Sequence, residues 1–181
     1  MLEIVDQAIK QFYVKKDYHA FKELSAKPLH LPAMLKEYIR SQGLKLIESE
    51  DAIYPSCVWK ICFDTDKNGE FEVTHTTTLQ LSKVAPLFFI RNDFVIPSRD
   101  PDTLEAELKG WDGQACTIKQ YDLLEEIRNI LQAQGYHEVF YPDMIEVVPG
   151  FEIPQGKEEL GRNVTVEHLI FMDIFNILQG A

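Results

Sequence analysis

Cysteine is scarce in this chain of 181 residues: Cys57, Cys62 and Cys116 are its three thiols, at spacings that match no metal site. An odd, sparse set excludes a disulfide scaffold and fits a reducing compartment, so the expected location is cytoplasmic. Long apolar runs are missing as well, since residues 87–90 and 169–172 are far too short to cross a bilayer. The opening Met1-Leu2-Glu3-Ile4-Val5-Asp6 has acids where a secretory leader needs a basic start and an apolar stretch, and no export signal is expected. There is no glycine-rich phosphate loop, no nucleophile elbow, no His-x-x-x-His, no Cys-x-x-Cys and no internal repeat. These absences remove the enzyme classes that a motif identifies. The sequence assigns no catalytic residue, no cofactor and no metal, and it leans away from an enzyme.

Positive charge is also in short supply. The chain has 18 Lys and Arg against 29 Asp and Glu, a net charge of −11. The deficit is uneven: residues 1–46 carry 8 basic and 5 acidic groups, a balance of +3, and residues 47–181 carry 10 and 24, a balance of −14. Such a surface repels phosphate backbones and anionic membranes, so neither nucleic acid nor a membrane is an expected partner. A basic protein is favoured, and oligomeric state is left open.

What is present is a switch of pattern at 54–98, from helical spacing to strand alternation. Phe71, Val73, His75, Thr77, Leu79 and Leu81 fall on one side of an extended chain, and Glu70, Glu72, Thr74, Thr76, Thr78, Gln80 and Ser82 on the other. The first set is expected to be dry and the second wet. Before it, Val5, Ala8, Ile9 and Phe12, widened by Leu2 and Tyr13, mark one helical face. Asp17 caps a second helix that turns Ala20, Phe21 and Leu24 inward, and Pro32 opens a third that buries Leu35, Tyr38 and Ile39 and ends at Gly43. Strands are expected at 44–48 and around Cys57, Trp59, Ile61 and Phe63. A hairpin is expected at Asn68-Gly69, then two short strands within 87–96 that turn at Arg91-Asn92-Asp93.

Beyond the sheet, Asp102 with Glu105 predicts a short helix ending at Gly110, and Thr117 with Gln120 predicts a longer one that carries Tyr121, Leu124, Ile127 and Leu131 inward to Gly135. Residues 137–141 and 144–148 suggest a short hairpin. A last helix over 165–178, apolar around its whole circumference, is expected to be central to the fold or buried in a subunit interface. The expected fold is therefore α+β, one domain over 1–181. It has a helical segment at 1–43, an antiparallel β-meander of about four or five strands at 44–98, and a helical layer at 99–181 with the short hairpin inside it.

Few residues suggest chemistry. The string Asp64-Thr65-Asp66-Lys67-Asn68-Gly69 begins like a calcium loop, but its twelfth position is His75 where a glutamate is required, and a polar hairpin tip explains it. His75 and Thr77 lie on the dry face and are the polar contacts of an alternative reading, a small-molecule pocket between helices and a curved sheet. Glu167 and His168 do not form a site with Asp173, because residues five apart diverge on a helix, and Asp173 needs a partner if it is buried. Trp111, followed by Asp112, is either an exposed anchor or a closure of the core. With the acidic hairpin residues Asp64, Asp66, Glu70 and Glu72, these two make up the expected partner-binding set. The favoured function is a small acidic binding protein that engages a basic partner, in the manner of an immunity protein or antitoxin-like inhibitor. A third reading is a structural homo-oligomer subunit.

Overall fold

A computed structural model describes residues 2–49, 54–69, 71–98 and 107–180. The α+β class is as expected, and the described sheet has seven strands. The chain opens with α1 (Glu3–Ile9), which runs on as a wider π-helical turn over Lys10–Val14 and buries Val5, Ala8, Ile9, Phe12 and Tyr13. Leu2 stays exposed. Asp17 caps α2 (Tyr18–Ala26), its carboxylate accepting the Ala20 N–H at 3.2 Å, and Pro32 precedes α3 (Ala33–Ser41), which buries Leu35 and Ile39. Gly43, at φ +70°, takes the left-handed conformation that releases the chain into the sheet.

Strands β1 (Lys45–Ser49), β2 (Ser56–Cys62), β3 (Asp66–Asn68), β4 (Phe71–Ser82), β5 (Leu87–Pro97), β6 (Glu107–Asp112) and β7 (His137–Val139) follow. The order is β1-β2-β4-β5-β6; β3 continues along the edge of β4 beyond β2, and β7 occupies the edge of β5 beside β6. All pairs are antiparallel except β7 with β5. Residues 87–97 form one strand and not two. Asn92, expected in a turn, is buried and accepts the Thr77 hydroxyl across the β4–β5 ladder at 2.7 Å.

The register fixes two faces. Trp59, Ile61, Leu79, Leu81, Phe88 and Ile90 form the covered face and pack against Leu35 and Ile39 of α3 and Leu123, Leu124, Ile127, Ile130 and Leu131 of α4 (Ile118–Ala133). The Thr117 hydroxyl accepts the Gln120 N–H at 3.1 Å and starts α4 as expected, but Tyr121 points outward. Among the described residues, only the lower end of the opposite face is covered. There α1, α2 and the C-terminal segment enclose Val84, Ala85 and Leu87 in a second apolar cluster. Ser56 and Ser82 are buried at that seam and donate to the carbonyls of Phe171 (2.8 Å) and Ile170 (3.0 Å), which is why Ser82 is dry despite its parity.

Four further expectations are corrected. The helix ending at Gly110 is strand β6, where a Cβ at Gly110 would overlap the Phe94 ring; Asp102 and Glu105 lie outside the described residues. The hairpin within 137–148 is β7 followed by the short helix α5 (Tyr141–Met144). The last helix stops early: α6 spans Val166–Ile170, and a separate 3₁₀ turn spans Ile177–Gln179. Asp173 is buried, and its carboxylate accepts the N–H groups of Ile177 (2.8 Å) and Leu178 (2.7 Å). Lys157 takes the Ile174 carbonyl at 2.6 Å, an acceptor that a continuous helix would use, and Asn176 is left-handed at φ 56°. The apolar side chains expected around that helix, Leu169, Ile170, Phe171 and Ile174 among them, are buried within the chain's own core and need no second subunit. Finally, Phe71 is 54 % exposed: at this end β4 pairs with β3, past the reach of the helices that cover Leu79 and Leu81.

Candidate functional site

The open part of the sheet is framed by β6 and α5. Trp111 opposes Asp93 in the β5–β6 ladder and so projects from the open face, 45 % exposed, on a strand and not on the connector the sequence suggested. After β7 the Phe140 N–H donates to the Asp143 carboxylate at 2.9 Å, which closes the first turn of α5 and sets Tyr141 beside β6. The Trp111 and Tyr141 rings meet edge to face, centroids 4.7 Å apart, and the Arg91 guanidinium sits 5.9 Å from the Trp111 centroid. Arg91 is itself fixed by Asp93 at 3.0 Å. Tyr141 is 43 % exposed, and Phe140, Ile145 and Val147 are exposed nearby in sequence. Asp112 closes β6 by accepting the Gln114 N–H at 2.8 Å.

The sequence-predicted set splits in two. Asp64 and Asp66 are exposed at the β3–β4 hairpin, and Glu72 pairs with Lys67 at 2.7 Å; β4 and β5 lie between this tip and Trp111 with Asp112 on β6. Glu70 lies outside the described residues. Tyr141 escaped the sequence reading because nothing local links it to Trp111, thirty positions away. The signal, an exposed aromatic directly after a strand, is legible only once β7 is known to share the edge of β5 with β6.

His75 is buried, and Asp66 lies 3.7 Å from its Nε2, while Nδ1 has no partner among the described residues. The carboxylate was findable in principle, since Asp66 pairs with Val73 and therefore shares the face of His75. Thr77 is fully buried and bonded to Asn92, and Leu79 is fully buried beside it. The calcium-like string carries strand β3, whose backbone is paired with β4, and the described residues contain no cluster of three or more His, Cys, Asp or Glu able to hold a metal. Burial, opposed by Lys83 and aided by Glu48, pushes the Cys57 thiol up, away from thiolate reactivity at neutral pH. No described helix is long and apolar enough to cross a membrane.

A groove of about 770 Å³ runs between the start of α1 and the end of α4, reaching Phe140. In its wall, Glu138 is held at 2.8 and 3.0 Å by Arg128, whose own pKa the pairing raises. The chain matches no protein-family model, no curated protein and no solved structure.

Proposed function

We propose that the protein is a small acidic binding module that takes a basic protein partner on the patch formed by Trp111, Tyr141 and Arg91, and thereby neutralises it as an immunity protein or antitoxin-like inhibitor does. The observation that carries this reading is the meeting of Trp, Tyr and Arg on an uncovered face. These are the residue types that dominate binding energy at protein interfaces, and here they cost no core packing to present. Charge supports the sign of the partner. Residues 113–180 carry 4 Lys and Arg against 11 Asp and Glu, and Asp143 and Glu146 lie within a few positions of Tyr141, whereas Asp112, opposite Asn92 in the ladder, projects from the other face than Trp111. The hairpin carboxylates Asp64 and Asp66 stand farther off and contribute steering more than contact.

The test is capture of a basic protein from the native host by the full chain, repeated with Trp111→Ala and Tyr141→Ala. Each variant is expected to keep the wild-type melting temperature and to weaken the complex by about 2 kcal/mol or more, roughly thirtyfold. The wild-type complex is expected to weaken as salt is raised. Failure to recover a basic protein, or a complex indifferent to both salt and Trp111, overturns the proposal.

A further inference from the structure

The register places every described strand lysine and arginine on one side of the sheet. Lys45 opposes Cys62, which opposes Thr76; Lys60 opposes Thr78, which opposes Arg91; Lys67 opposes Glu72; and Lys109 opposes Val95, which opposes Thr74. All share the parity of the even positions of β4, the face that carries Trp111. The strand carboxylates on this face are Glu72, Asp93 and Glu107, and each already holds a cation: Lys67 at 2.7 Å, Arg91 at 3.0 Å and Lys109 at 3.0 Å. Lys45 and Lys60 are left over, with no carboxylate in ion-pair range among the described residues. They are diagonal neighbours on adjacent strands, roughly 7 Å apart at the backbone. Lysine on an edge strand discourages sheet-to-sheet aggregation, which explains Lys45 on β1 but not Lys60, since β2 lies inside the sheet. Two like charges side by side, in a chain with 29 carboxylates to offer, call for an anionic counterpart.

We infer that the Lys45–Lys60 corner, with the threonine lane Thr74, Thr76 and Thr78 beside it, is the second half of the footprint of the same protein partner and receives an acidic segment of it. This rests on the reading given above. From β1 to β6 the open face is four strand spacings wide, roughly 19 Å, which fits within one protein–protein interface of ordinary size. The partner surface is therefore dipolar, cationic over Trp111 and α5 and anionic over β1 and β2. A protein suits this better than a nucleic acid, because each added phosphate meets the repulsion of a chain at −11, whereas a protein segment brings few charges.

Backbone amide shifts of the full chain, recorded at low salt with three probes, test this without the natural partner. A short oligoglutamate peptide is expected to move the amides of Lys45, Lys60 and Thr78, and the double change Lys45→Glu with Lys60→Glu is expected to weaken its binding at least about fivefold. A short oligolysine peptide is expected to move Trp111 and Tyr141, with an affinity that the double change does not reduce. Oligoglutamate that binds nowhere, or elsewhere, overturns this inference while oligolysine decides the aromatic patch separately. Oligothymidylate that displaces oligoglutamate from the lysine corner overturns it in favour of a nucleic-acid surface.

Discussion

Strand β4 shows two environments one residue apart. Its odd positions from His75 to Leu81 are buried, Thr77 and Leu79 completely, while Thr74, Thr76, Thr78 and Gln80 between them keep partial exposure. The covered face is held by α3 and α4 through close-packed aliphatic and aromatic side chains, and within it the Thr77 hydroxyl donates to Asn92. The open face has instead a lane of hydroxyls, a set of cations and, at one side, an exposed Trp–Tyr pair. The difference teaches that one strand is divided by parity: changes on its covered side test the fold, and changes on its open side test the proposed partner surface.

The contrast is sharpest at adjacent residues. Leu79→Ala should cost about 3 kcal/mol or more by leaving a cavity among Trp59, Ile90 and α4, whereas Thr78→Ala should stay within about 0.5 kcal/mol; urea unfolding of the pair measures both. Equal losses would mean that the open face is packed after all. Next in size is Gly110→Ala on β6, expected to cost about 1–3 kcal/mol because the new methyl displaces the Phe94 ring, with the same measurement as readout. Thr77→Val should cost about 1–2 kcal/mol by stripping Asn92 of its donor, and adding Asn92→Leu should recover most of it. A double variant as unstable as the single one would make shape, not hydrogen bonding, the basis of that pair.

The smallest effect concerns pH and the seam where the open face is closed from below. His168 accepts the Thr165 N–H at Nδ1, 3.2 Å away, a bond that an unprotonated nitrogen alone can accept. Burial holds its pKa below the usual histidine value, with Glu167 opposing. The fold thus favours the neutral ring, so this stability is present above pH about 6.5 and is lost as the pH falls below it. The urea midpoint should drop further between pH 7.5 and 5.5 for wild type than for His168→Asn, which keeps an acceptor but does not titrate; identical profiles would remove His168 from the account.

Much of the helical and strand content was legible in the sequence because it rests on near neighbours. Asp17 and Thr117 cap the helices they were expected to cap, and the alternation from His75 to Leu81 holds residue for residue. The misreadings share another cause. Arg91-Asn92-Asp93 has turn chemistry, but Thr77 on the neighbouring strand satisfies Asn92. Residues 165–178 have helix hydrophobicity, but the Asp173 carboxylate and the Lys157 ammonium, which reaches in from a distant loop, take the backbone groups a helix would use. Of the proposed site, Trp111 and Asp112 were named from sequence, while Tyr141, Arg91 and the lysine corner were not, since each depends on which strand lies beside which.

By itself the sequence determined the α+β class, the caps and the parity of β4, because spacings of two, three and four residues fix which side chains share a side of a strand or helix. Tertiary structure alone decided where that parity fails, with Ser82 dry at one end of β4 and Phe71 outrunning its cover at the other, and that Trp111 and Tyr141 touch. Those outcomes turn on how far the helices reach across the sheet and on the order of its strands, and no short-range pattern encodes either.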